Sequence, residues 1–128
     1  MTPPTAEWVN KAEGDYDFVL LLRRSRKRSR YDGICYHSQQ CAEKYIKARL
    51  NEARIIFGKT HDLEVLLALL KPVEPHWMIA KPRLNRLTEL AVTVRYPGTS
   101  ADRINAADAF QTCNDIRSLA RASLGLKP

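Results

Sequence analysis

No stretch of this chain approaches the roughly 20 consecutive apolar residues needed to cross a bilayer. The start, "MTPPTAEW", lacks the charged opening and apolar core of a secretory leader. Membrane roles are therefore set aside, and a cytoplasmic location is expected. Cysteine is scarce and unpaired in pattern: Cys35, Cys41 and Cys113 make an odd count with no framework spacing. A disulfide scaffold is excluded on that ground, and each thiol reads as a small core residue. His37 and Cys41 lie one helical turn apart, but no second pair completes a metal site, so neither metal nor cofactor is expected. Sustained strand alternation, internal repeats and low-complexity linkers are also missing.

What the chain does have is positive charge and helical periodicity. Its 128 residues suit one domain, residues 1–128, and carry a net charge of +7. Much of that charge is concentrated in "RRSRKRSR", Arg23 to Arg30, with six cations in eight residues. Such a block attracts polyanions through phosphate neutralisation and counterion release. It also suits a helix C-terminus, where the carbonyls carry partial negative charge.

Five segments repeat their apolar residues with a period near 3.6. The first is expected from Thr5, as N-cap, to Arg24, with Trp8, Ala12, Tyr16 and Val19 on one face. Asp15 falls in the middle of that face, where an unpaired carboxylate would be costly. The second is expected from Tyr31 or Asp32 to Phe57, with Gly58 just past its end. Ile34, Ser38, Cys41, Ala42, Tyr45 and Ile46 form its core arc; His37, Gln40, Lys44 and Lys47 form a polar strip along the margin. "KTHDLEVLLALLKP" gives a short third helix capped by Thr60 and closed by Pro72, with His61 at its N-terminal turn. Pro82 opens a fourth helix, and Ser100 is the expected cap of the fifth. Short connections point to an all-α, up-and-down antiparallel bundle of four to five helices.

The chain resembles the HEPN domain family along nearly its whole length. "WVNKAEGDYDFV" is similar to that family's first helix, with Asp15 at the acidic position. "YDGICYHSQQCAEKYIKARL" is similar to its second-helix signature, "KTHDLEVLL" to the opening of the next helix, and "VRYPG" to the element before the last. The resemblance implies a HEPN-like bundle, often a homodimer, that binds a nucleotide or RNA. Some members accompany a minimal nucleotidyltransferase in toxin–antitoxin-like or regulatory pairs; others are metal-independent endoribonucleases.

The nuclease members carry an Arg, four to six intervening residues, then His, near the start of a late helix. Here the matching residue is Arg95, and "YPGTSADR" follows it without a histidine. Arg30–His37 and Arg54–His61 have the right spacing, but such matches arise readily by chance in an arginine-rich chain, and Arg30–His37 also lies on the wrong helix. The expectation is thus a nucleotide- or RNA-binding module, with Lys44, Lys47, Arg95, Arg30, His61 and Gln40 as ligand contacts and Asp15 orienting a cation. Enzymatic activity is not expected; should there be any, His37 and His61 are the acid–base candidates. A third reading is a dimeric interaction scaffold anchored by Tyr31, Tyr36, Trp77 and Tyr96.

Overall fold

A computed structural model describes residues 1–128. The periodic segments form α1 (Pro3–Arg24), α2 (Arg30–Glu52), α3 (Leu63–Leu70), α4 (Lys81–Thr93) and α5 (Arg103–Ser123). A 3-10 helix, Pro75–Ala80, leads into α4. There is no strand, and the all-α expectation holds. No helix is long and apolar enough to cross a membrane.

Cross-helix pairs fix the directions. Asn51 at the end of α2 donates to Thr5 at the start of α1, so these two helices are antiparallel. Asp32 at the head of α2 accepts from the Ala101 amide just before α5, and Arg121 near the end of α5 reaches Tyr45, so α5 descends beside α2. Arg83 and Arg86 of α4 pair with Asp115 and Asp108 of α5, which sets those helices antiparallel. The four long helices therefore alternate up and down. The short α3 is the exception: it runs the same way as α2, with His61 above it near Gln39 and Glu74 below it near Arg49.

Helix α2 is the central element. It meets α1, α3, α4 and α5, so about half its residues are buried, including Tyr45, Ile46, Ala48 and Leu50. Leu63, Leu66, Leu67 and Leu70 of α3 join the same core. Fully burying one such leucine is worth about 1.5–3 kcal/mol. Because α2 has neighbours all round, its polar residues at the core margin face other helices rather than open solvent.

Helix ends differ from expectation in ways that matter for the site. Helix α1 starts earlier, with Pro3 and Pro4 in its first positions and Thr2 as cap; proline loses nothing there because those amides have no intrahelical partner. Thr5 lies inside the helix, its hydroxyl accepting from Asn51. Asp62, not Thr60, caps α3 by accepting from the Glu64 amide, while Thr60 supports the Asp62 amide one step earlier. Asp102, not Ser100, caps α5, in a reciprocal pair with Asn105.

The largest difference is at the end of α2, which stops at Glu52 instead of Phe57. Arg54 takes a left-handed conformation (φ 60°), and the Ile55 and Arg54 amides bond back to Leu50 and Asn51. That double closure is a Schellman ending with arginine where glycine is usual, so the sequence carried no signal for it. The early stop frees residues 53–62 to run back along α2, which brings Phe57 to Trp8 and His61 to Glu43. Trp77 is wholly buried in the core, so its expected role as an exposed anchor is corrected.

Candidate functional site

Asp15 is the hinge of the α1–α2 face. Its position in the apolar face of α1 buries it to 9% exposure, against the edge of α2 that carries His37 and Lys44. Those residues are seven apart, two helical turns, so both reach the same carboxylate. The His37 Nδ1 lies 2.8 Å from Oδ1 and the Lys44 Nζ 2.5 Å from Oδ2. Burial pushes the Asp15 pKa up, but the hydrogen bonds from His37 and Lys44, with their charge, more than offset it. The carboxyl is therefore held below its usual range and is ionised at neutral pH.

An ionised carboxylate only accepts, so the proton on His37 sits on Nδ1. Nε2 is turned away from Asp15 and has no partner within the protein. Phe18 stacks on the imidazole at 4.9 Å, and Tyr36 packs edge-on at 5.1 Å. Phe18 itself is 53% exposed, so one face of this stack is open to solvent. The guanidinium of Arg95 lies over the other part of this wall, 4.8 Å from the Tyr36 ring. Contacts thus run from Arg95 through Tyr36 and His37 to Asp15 and Lys44.

Toward the start of α1, Lys44 rims a concave pocket of about 410 Å³ with Pro4, Glu7, Trp8 and Lys11. Trp8 separates this pocket from a second polar group centred on Glu43. Lys47 bonds one Glu43 oxygen at 3.2 Å and lies 5.4 Å from the Trp8 ring and 5.8 Å from the Phe57 ring. The other Glu43 oxygen takes the His61 Nδ1 at 2.9 Å and the Gln39 amide at 3.2 Å. Gln39 also donates to the His61 carbonyl, and Gln40 donates to Gln39 at 2.7 Å.

The paired glutamines therefore act locally. Gln39 ties the returning 53–62 segment to α2, and Gln40 fixes the orientation of the Gln39 amide. Glu43 and Lys47 do pair four residues apart, but the pair is buried rather than on a solvated face. Such a pair must stay intact, because removing either partner strands a buried charge. Lys47 is accordingly tied up, whereas the His61 side chain is 76% exposed with Nε2 free.

Arg30 lies apart from all of these. It sits at the other end of the α1–α2 hairpin, packed over Tyr31. The residues that sequence reasoning did not assign to a site are Phe18, Trp8, Lys11, Gln39 and Glu43. Phe18 carried one legible signal, lying one helical turn beyond Asp15 on the same side of α1.

Other chemistry is limited by the same geometry. The cysteines are buried, with burial pushing Cys35 up to about 12 and Cys41 raised in the same sense, so none is a ready nucleophile. No group of three or more His, Cys, Asp or Glu side chains is placed to hold a metal ion.

The fold and site define an α-helical bundle with a carboxylate–histidine–lysine face between its first two helices. The family model of the HEPN domain matches residues 5–123, and the chain belongs to that family. Neither a curated protein nor a solved structure gives a significant match.

Proposed function

We propose that this HEPN chain binds a nucleotide or a short stretch of RNA on the α1–α2 face, in company with a minimal nucleotidyltransferase. The observation that carries the binding reading is the His37 imidazole, fixed by Asp15 with Nε2 unpartnered, on the same carboxylate as Lys44, which rims a pocket with Trp8. Lys44, Lys11 and Arg95 supply cations for phosphate, and Trp8, Phe18 and Tyr36 supply flat apolar surface for a base. A homodimer is part of the same proposal and rests on family membership. The nucleotidyltransferase partner rests on family membership alone, and copurification from the native host tests it directly.

Equilibrium binding of mononucleotides and single-stranded RNA, repeated across salt concentrations, tests the site. Phosphate-driven binding falls steeply with salt. Lys44→Ala and His37→Ala should weaken it by about tenfold each, near 1.4 kcal/mol, while Lys71→Ala leaves it unchanged. A protein that binds neither ligand at low salt, or whose variants bind as well as the parent, would sink the reading.

The Asp15–His37 dyad favours one second reading, metal-independent RNA cleavage. Nε2 is the free base position of an oriented imidazole and could take the proton of a ribose 2′-hydroxyl, with Lys44 and Arg95 near the phosphate. RNA incubated with the protein and a chelator decides it: degradation lost in His37→Ala supports cleavage, and intact RNA with the parent protein rejects it.

A further inference from the structure

The basic run between α1 and α2 does not simply splay into solvent. Arg23 at the end of α1 and Arg30 at the start of α2 line one pocket of about 450 Å³ together with Arg103, the first residue of α5. The Arg23 guanidinium lies 4.0 Å from the centre of the Phe110 ring, and that of Arg30 lies 4.2 Å from the centre of Tyr31. Arg30 is held further by bonds to the Lys27 carbonyl and the Tyr31 hydroxyl. Packing over a ring restrains the guanidinium plane but leaves N–H groups at its edge free to fork onto oxygen.

What marks this group is that three guanidiniums meet at one cavity whose lining holds no carboxylate. Arg49, Arg83, Arg86, Arg117 and Arg121 each pair with a carboxylate. Arg23, Arg30 and Arg103 pair with none, and no Asp or Glu lines their pocket. Three like charges around one cavity repel each other, and the neighbouring Arg24, Arg26, Lys27 and Arg28 add to that repulsion.

We propose that this pocket is a polyphosphate-binding site that takes the di- or triphosphate group of a nucleotide. Three guanidiniums from three helices match the charge of such a group, and bidentate Arg–phosphate contacts are the strong ones. The volume falls in the range of small-molecule sites rather than that of an extended groove. The apolar floor from α2 and α5 excludes water beneath the phosphates. Gln111 uses its Nε2 on Asp115, which leaves its Oε1 as an acceptor for a sugar or base N–H or O–H. This pocket lies at the opposite end of the α1–α2 hairpin from the Trp8–Lys44 pocket, so the two sites stand or fall separately.

The test is calorimetric titration of the whole chain, in about 50 mM salt, with inorganic pyrophosphate, ADP, AMP and adenosine. Pyrophosphate and ADP should bind and raise the melting temperature, AMP should bind about tenfold more weakly than ADP, and adenosine should not bind. Arg23→Ala and Arg103→Ala should each weaken ADP by at least about tenfold, with Arg103→Lys between them and the parent. Both residues are exposed, and circular dichroism checks that the variants stay folded. Lys71→Ala, at an exposed lysine outside both pockets, should leave pyrophosphate and ADP binding unchanged.

Several results would overturn the proposal. One is no binding of pyrophosphate or ADP at about 1 mM. Another is equal affinity for pyrophosphate in the parent and Arg103→Ala. If pyrophosphate binds and ADP does not, the nucleotide assignment fails. If an oligoglutamate peptide binds through Arg103 while pyrophosphate does not, the pocket receives a protein segment instead.

Discussion

Glu13 and Asp15 stand two residues apart on α1, and both are carboxylates drawn into the bundle, yet they differ in what their partners have left to offer. Glu13 points toward α5. It takes both Nε and a terminal nitrogen of Arg117 at 2.8 Å, together with the Tyr45 hydroxyl, and lies 3.6 Å from Arg121. Arg117 packs over Tyr16, whose hydroxyl donates to Asn114. This network closes on itself and fastens α1, α2 and α5. Asp15 also fastens α1 to α2, but its partners open outward: His37 keeps a free Nε2, and Lys44 rims a pocket. A buried carboxylate is therefore not a functional mark in itself; spare valence on its partners is.

Removing Glu13 should give the largest effect on stability. Glu13→Ala leaves Arg117 and Arg121 with unpaired, partly buried charge, at a cost of about 3 kcal/mol in urea unfolding. Ligand affinity of the folded fraction should be unchanged. Asp15→Asn should separate the two regions from the other side: about 1–2 kcal/mol of stability, but at least about tenfold in affinity for nucleotide or RNA. If Asp15→Asn costs as much stability as Glu13→Ala and leaves binding intact, the two carboxylates do the same work and the contrast between them disappears.

Acid titration sharpens the contrast at smaller scale. For Glu13, burial pushes the pKa up, but the hydrogen bonds from Arg117 and Tyr45 and the arginine charges outweigh it, so the folded value is lowered. Asp15 is lowered in the same sense. A lowered folded value contributes stability that is present above the unfolded carboxylate range, about pH 4, and is lost as pH falls through the folded value. Urea midpoints between pH 7 and pH 3 should therefore fall in the parent protein, and fall less in Glu13→Gln. An acid limb unchanged by that substitution would mean that Glu13 contributes nothing to the loss. The smallest expected effect is a gain: Arg54→Gly should stabilise by about 0.5–1 kcal/mol, because glycine adopts the left-handed ending of α2 without strain. No gain in the melting temperature would mean that the ending is held by the 53–62 segment rather than by its own conformation.

Much of the site was legible one helix at a time. Asp15 was marked because a carboxylate in an apolar stripe needs a partner, and His37 and Lys44 because a spacing of seven puts them on one edge of α2. The burial of Glu43 was not legible, since a Glu–Lys pair four apart is what a solvated face also looks like. Arg30 was grouped with the strip by charge, although its place in the chain puts it at the far end of the hairpin. The ends of α1, α3 and α5 were misplaced by a few residues because Thr2, Asp62 and Asp102 competed with other acceptable caps nearby.

By itself the sequence determined the helices, their apolar faces and the family, because a period of 3.6 and a run of local motifs are properties of neighbours along the chain. Only the tertiary structure decided which charges meet. The left-handed stop at Arg54 turns residues 53–62 back along α2 and delivers His61 to Glu43, and the order of α1, α2 and α5 gathers three unpaired arginines around one pocket. Such encounters depend on through-space distance between segments far apart in the chain, which no local pattern encodes.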